Sequence, residues 1–466
     1  MLFFGCGITV YAENAGGSQV LASVASSISD YLLNTNVQMA NYPLAKRAEQ
    51  RVSLGTSAAA VLLGAESPND VLVGQSATQL VASLALMIEQ RVLADRAGGV
   101  EGAWQVGDEI VLSDADHETN RGAWTRLAQK TGLNVKHWGV APTTTAAAEG
   151  RNGYAVTLDP AVLRGIVTPK TRVVAFTACS NLLGAYTDIA GAVREVRAVA
   201  PGAVVAVDCV AFAPHRRICP REWDVDVAFF SLYKTYGAHV GTMYVSPRTQ
   251  QTHLARLNHF FLQPPSANIP GMYPFQTSSV QYELNHSIAA VADYIVSLSQ
   301  PTSTVKKINW SALFNPTSIP SEGLVTLSRS EVDSALDAAF SKIAGHEAAI
   351  LSHLIPVLLS YRERGVRIVG PESDSSGERA PTVAFAVVDS ATGRHRVGTS
   401  QQIHSALVAT EKIGAQQGHM YAHKLVQSLG LDLADGVVRL SFVHYNSPEE
   451  VQRTAELLKQ VLDQVL

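Results

Sequence analysis

The chain has 466 residues, 47% of them hydrophobic and 16% charged, with a formal net charge of −4. That is enough apolar chain for one large and one smaller packed domain, and the charge balance gives no basic surface for nucleic acid. Cys6, Cys179, Cys209 and Cys219 form no CxxC pair and sit in no histidine-rich spacing, so neither a metal site nor a disulfide framework is expected, and a reduced, cytoplasmic compartment is.

The apolar start, Met1 to Gly7, is short and lacks the basic flank and long apolar stretch of a signal peptide. Nowhere does an apolar run reach the roughly 18 residues of a membrane span. From about residue 55 to 250, strand and helix patterns alternate. The strands read as Val71–Val73, Glu109–Leu112, Arg172–Phe176, Ala203–Val207, Val225–Phe230 and Thr242–Val245, with a helix over Ala77–Ala94. Continuous apolar strands separated by helices predict a mostly parallel sheet covered on both faces, with ligands bound at the carboxyl ends of its strands. The Ala-rich stretch Thr143–Ala148 reads as a loop. A Ser/Pro/Thr-rich shift over 299–328 reads as an inserted surface loop. Beyond it a long helix is expected over Glu331–Arg364, then strands at Val366–Val369, Thr382–Val388 and Val437–Phe442, and an amphipathic helix from Ser447. The division is a large domain over 16–298, the insertion over 299–328, and a small α+β domain over 329–466 that takes in segment 1–15.

The chemistry gathers at strand ends. Asp208 ends one apolar run and Lys234 follows the next, in Ser231-Leu-Tyr-Lys-Thr-Tyr-Gly237. A lysine there can form an imine with the aldehyde of pyridoxal 5′-phosphate (PLP), and the carboxylate can pair with the protonated pyridine nitrogen. Ser76, Ala77 and Thr78 lie where a strand gives way to a helix, so their backbone N–H groups can meet a phosphate; Ser76 or Thr78 equally suits a plain helix cap. His117 can stack on a pyridine ring or serve as a hydrogen-bonded surface histidine. Asn181 can donate to the cofactor's phenolic oxygen or simply occupy a turn.

Together, Asp114 to Trp124 (Asp-x-x-His-x-x-Asn-x-x-x-Trp), Ser180 to Gly184, Val207 to His215 and the Lys234 motif resemble the class V aminotransferases, in their cysteine desulfurase-like branch. Tyr11 to Gly17 resembles that branch's start, and the segment from Arg439 its last strand and helix. The resemblance implies a PLP-dependent transferase of fold type I, an α/β protein with a mostly parallel seven-stranded sheet in its large domain. It implies that Lys234 carries the cofactor and shuttles the Cα proton, and that Asp208, His117 and Asn181 contact the ring. Ser76, Ala77, Thr78 and Ser231 would hold the phosphate, with Tyr233 nearby. Arg439 would grip the substrate carboxylate beside Gly16. It also implies a homodimer in which Ser279, next to Ser278 where the family has Gly-Thr, reaches the partner's phosphate.

Three departures stand out. Tyr421 occupies the place of the sulfur-accepting cysteine, Gln416 stands where the family often has Arg, and Ala211 replaces a Gln or His that contacts the ring oxygen. Persulfide-forming desulfuration is therefore not expected. The remaining fates of a Cα carbanion are carbon–carbon bond formation, β- or γ-elimination, and epimerisation. PLP enzymes of fungal alkaloid pathways resemble this branch, the Mannich-type cyclase of the loline pathway among them. A biosynthetic carbon–carbon-forming enzyme acting on an α-amino acid, with Tyr421 as a catalytic group, is the first expectation. A desulfurase-like lyase or an epimerase comes second, and a degenerate binding subunit last.

Overall fold

The computed structural model describes residues 10–150, 152–257, 271–277, 279–300, 305–315 and 323–466. Its centre is a seven-stranded sheet made of β1 (Val71–Gly74), β2 (Glu109–Ser113), β3 (Asn134–Trp138), β4 (Thr171–Thr177), β5 (Val204–Asp208), β6 (Val227–Ser231) and β7 (Gly241–Val245). Their order is β1-β7-β6-β5-β4-β2-β3. Only β7 runs against its neighbours, pairing antiparallel with both β1 and β6. The carboxyl ends of the other six strands therefore share one edge.

Successive residues of each strand feed opposite cores. On β4, Val174 and Phe176 pack into one apolar layer while Val173 and Ala175 pack into the other. This two-sided burial is why the strands read as unbroken apolar runs. β3 is the exception. Its sequence, Asn-Val-Lys-His-Trp, is largely polar, with only Trp138 fully buried, and no apolar run announces it.

The smaller domain is a four-stranded antiparallel sheet: β8 (Val366–Val369), β9 (Thr382–Val387), β10 (Gln416–Gly418) and β11 (Val437–Ser441), in the order β8-β9-β11-β10. Helices Arg329–Ser360 and Pro448–Val465 pack on it, each opened by a capping box, from Ser328 with Glu331 and from Ser447 with Glu450. The first is long and apolar enough to cross a membrane by composition. Its Ile350, Leu351, Leu354 and Leu358 are nevertheless buried in the small-domain core. Val10–Tyr11 pairs with Ile413–Gly414, and Glu13 bridges to Ser441, so the start of the described chain lies on this sheet.

Two local expectations give way. Thr144–Glu149 is a short helix capped by Thr143, since an alanine run propagates helix once capped. The 299–328 insertion is anchored rather than loose over its described part. Trp310 is fully buried, and its indole N–H and the Ile308 N–H both donate to Asp293 Oδ1, each at 3.0 Å. Asn309 N–H donates to Val325 O and Val325 N–H to Lys307 O, closing the insertion on itself.

Candidate active site

Five strand ends bring the predicted residues to one edge. Asp208 is the last residue of β5 and Ser231 the last of β6, and Lys234 closes the single 3-10 turn that follows. His117 lies four residues beyond β2 and Asn181 four beyond β4. Ser76 begins the helix Ala77–Ala97 after β1. From the small domain β11 brings in Arg439, and the segment after Tyr11 brings in Glu13 and Gly16.

The Lys234 amine donates to Ala15 O and sits 5.6 Å from the centre of the Tyr233 ring. Burial, then the positive charge of Arg439, lowers its pKa to about 8, against the opposing pull of Asp208 and Glu13. Asp208 is 5% exposed and accepts from Val210 N–H at 2.8 Å. Burial raises its carboxyl to about 6, against the pull of that N–H and of Lys234. A second carboxyl, Asp116, is fully buried and bonded to Ser113 and Asn120, and burial raises it to about 8.

His117 caps the helix Glu118–Thr131, its Nδ1 accepting from Thr119 N–H at 3.1 Å. Burial, then the charges of Lys234 and Arg439, lower it to about 4, so the imidazole is neutral at physiological pH. Ser76 is a true N-cap, accepting from Gln79 N–H. The Ala77 N–H donates to Ser231 Oγ at 2.9 Å, and the Thr78 hydroxyl is exposed, 3.5 Å from that of Thr119. Ser76 and His117 thus both act as helix caps. The helix start is pressed against β7 at Gly241, where a Cβ would lie 2.4 Å from the Ser76 carbonyl carbon. The Tyr233 ring stacks on His239 at 4.8 Å, a partner the sequence did not indicate.

Arg439 is buried, and its Nη1 donates to Asn181 O at 3.0 Å while Nη2 is 3.5 Å from Glu13 Oε1. Burial lowers its guanidinium to about 10. Gln416 is its cross-strand neighbour. Asn181 Nδ2 donates to Met420 O at 2.8 Å. Among the described residues, Asn181 Oδ1 and Arg439 Nε are buried with no hydrogen-bond partner.

Tyr421 follows β10 on a turn in which Met420 and Tyr421 have φ of 49° and 58°. That left-handed backbone costs a non-glycine residue free energy and persists only when clamped. Here Asn181 holds the Met420 carbonyl, the Glu118 N–H holds the Tyr421 carbonyl, and Glu118 Oε1 accepts from Lys424 N–H. The Tyr421 ring is 67% exposed and 5.3 Å from the His117 ring. Ala211 is half-buried. Ser279 is exposed on a broad groove between the helices Ala22–Asn34, Pro43–Leu62 and Tyr282–Ser297, a groove that Lys234, Asp208 and Arg439 do not line. Ser278 lies outside the described residues.

Cys179 and Cys209 are buried, with Cys179 raised by burial to about 12, and half-buried Cys219 is raised to about 11. Cys6 lies outside the described residues. Among the described residues no group of three His, Cys, Asp or Glu side chains could hold a metal ion.

The family model for aminotransferase class-V matches residues 10–256. Over 459 residues the chain is 32% identical to the aminotransferase-like protein FGM3 of Gibberella zeae, an alignment covering 97% of this chain and 94% of that protein. It is 28% identical over 460 residues to the nonribosomal peptide synthetase-like enzyme fsqF of Aspergillus fumigatus, covering 97% of this chain but 25% of that one. Among solved structures, the apo cysteine desulfurase of Thermococcus onnurineus shares the fold, with a TM-score of 0.72 at 17% identity over 98% of this chain and 95% of that one.

Proposed function

Since the chain belongs to the class V aminotransferase family and is a PLP-dependent enzyme, we propose that it removes the Cα proton of an α-amino acid and uses the resulting carbanion to form a carbon–carbon bond, as a Mannich-type cyclase of alkaloid or other secondary metabolism would. The observation that carries this reading is Tyr421. A phenol stands where a desulfurase would need a thiol, and a phenol cannot take sulfur as a persulfide. The biosynthetic setting is supported by the relative named as a nonribosomal peptide synthetase-like enzyme.

The residues fit the cofactor. A helix start backed by Ser231, a lysine amine under the field of a buried carboxylate, and an Asn181 amide with one hydrogen beyond its bond to Met420 O suit what PLP requires. Lys234 would hold it covalently and Asp208 would pair with its ring nitrogen. His117 would lie on the ring face, Asn181 would meet the phenolic oxygen with its remaining amide hydrogen, and Ser76, Ala77, Thr78 and Ser231 would hold the phosphate. Bound PLP supplies an electron sink that stabilises negative charge at the substrate Cα. This chain's residues do the rest. Arg439 fixes the substrate carboxylate as a two-point pair, beside Gly16. Lys234, whose amine burial holds at about 8 in the cofactor-free protein, would take the Cα proton once it is no longer bonded to the cofactor. The Asp208 carboxyl, at about 6, is mostly ionised there. Tyr421, whose ring centre lies 5.3 Å from that of His117, would hold or move a proton in the step that follows. The desulfurase-like fold supports a second reading, a C–S or β/γ-elimination lyase without a persulfide.

Candidate amino acids incubated with the enzyme in deuterium oxide should exchange Cα–H and give a carbon–carbon-coupled product by mass spectrometry, with no persulfide on the protein. Sulfide release from L-cysteine at about 1 s⁻¹ or faster, with a persulfide trapped on Cys179 or Cys209, overturns the proposal. The same reading includes a twofold dimer in which Ser279 reaches the partner's site, as its exposure on the groove supports. Full activity in a species that sediments as a monomer would refute it.

A further inference from the structure

We infer that Glu13 is a resident stand-in for the substrate carboxylate, closing the Arg439 fork until the α-carboxylate of an incoming amino acid displaces it. The inference rests on the reading of Arg439 as the carboxylate-binding residue, and deepens it.

A guanidinium as buried as Arg439, 3% exposed, needs an anion nearby. Its Nη1 is committed to a backbone carbonyl, Asn181 O. The side-on edge made by Nε and Nη2 is the one that accepts a carboxylate at two points. Glu13 meets that edge at one point only, Nη2, at 3.5 Å, and Nε has no hydrogen-bond partner among the described residues. The edge is therefore half-occupied, by a carboxylate at a length typical of a weak pair.

The two halves of Glu13 behave differently. Its backbone is pinned to the strand that carries Arg439. Glu13 bridges to Ser441, Asn14 N–H donates to Ser441 O at 3.2 Å, and Ala15 N–H donates to Ser441 Oγ at 2.9 Å. Its side chain is 28% exposed, so the carboxylate has solvent to retreat into, whereas Arg439 has none. Gly16 provides the space in which the carboxylate lies. Gly16 N–H donates to Glu13 O at 2.9 Å, and a Cβ on Gly16 would fall 2.1 Å from Glu13 Oε1. The same turn presents Ala15 O to the Lys234 amine. One short segment thus touches both cationic groups of the site.

The exchange conserves charge. With Glu13 in place, Lys234 and Arg439 face Asp208 and Glu13. A zwitterionic amino acid supplies its own carboxylate to Arg439 as Glu13 withdraws toward water, so no guanidinium is left buried and unpaired at any stage. The stand-in keeps the fork charged and oriented between turnovers, and it must be outcompeted by any ligand that binds there.

The test uses the cofactor-loaded enzyme and propionate, which offers a carboxylate without an amine to react. Titration calorimetry should give a weak dissociation constant for the parent, and one tighter by about five-fold or more for Glu13→Gln, the size of an ordinary coupling between two ligands of one site. In an Arg439→Gln background the same Glu13→Gln change should give no gain. Equal propionate affinity in the parent and Glu13→Gln overturns the stand-in, as does a gain that persists without Arg439. If propionate binds neither the parent nor Glu13→Gln, the assignment of Arg439 to the carboxylate fails, and the stand-in with it.

Discussion

In the cofactor-free protein Lys234 should titrate near pH 8. Burial is the main cause and the Arg439 charge the second, with Asp208 and Glu13 pulling the other way. An ordinary lysine, of pKa about 10.4, is neutral in roughly one molecule in 2,500 at pH 7, whereas one titrating at about 8 is neutral in roughly one in ten, a gain of more than two hundred-fold in reactive amine. Two substitutions push the midpoint in opposite directions. Arg439→Gln removes a like charge and raises it; Asp208→Asn removes an opposite charge and lowers it. Competitive labelling with an amine-reactive anhydride between about pH 6 and 11, read on the Lys234 peptide by mass spectrometry against exposed Lys130, gives the midpoint directly. Cofactor uptake should follow the same curve, slowing as pH falls below the midpoint. A parent midpoint near 10, or two variants that move the same way, would show that burial and these charges do not govern the amine.

Arg439→Lys keeps the charge but loses the two-point geometry, and should raise the concentration of amino acid needed for half-maximal Cα–H exchange by roughly ten- to a hundred-fold, for a loss of about 1.4–2.8 kcal/mol. Asp208→Asn should abolish Cα–H exchange without weakening the cofactor-free fold. A carboxyl whose folded pKa is raised to about 6 contributes stability at low pH that is lost as pH rises through 6, so at pH 7 the Asn variant should unfold no earlier than the parent in a thermal melt. Tyr421→Phe should cut coupled product more than it cuts Cα–H exchange; parallel loss, or normal product yield, would reduce Tyr421 to packing. Trp310→Ala should cost about 3–5 kcal/mol in chemical unfolding, since it empties a buried site and removes one of two donors to Asp293.

The buried strands of the large sheet were legible because each is apolar on both faces, and the residues at their ends followed. β3 was not, because Asn134, Lys136 and His137 interrupt it and make it look like a loop. Trp310 was missed for a related reason. A single aromatic residue in a Ser/Pro/Thr-rich segment carries no period, and its burial depends on an apolar core and the Asp293 carboxylate, both supplied from outside the segment. The Tyr421 turn is illegible in another way. Left-handed φ at Met420 and Tyr421 is imposed by Asn181 and Glu118, which are remote in sequence, whereas glycine would have signalled it locally. Glu13 lay inside a recognised motif, but its reach to Arg439 depends on the register between the opening segment and β11.

The single reversed strand of the large sheet sets when β1 can be paired during synthesis. β1 has one partner in the sheet, β7, with Gly74 opposite Gly241. A ribosome that has released the chain through Lys234 has delivered Asp208, His117 and Asn181 as well, but β1 has no strand to pair with. Until Val245 emerges, Val71, Leu72 and Val73 are apolar residues without their strand neighbour, exposed to aggregation in the way unpaired strands are. Pairing across so long a stretch of chain is slow for entropic reasons. β1 is therefore the last strand of the large sheet to find its partner, and nascent chains stopped before Gly241 should not resist proteolysis within residues 71–97.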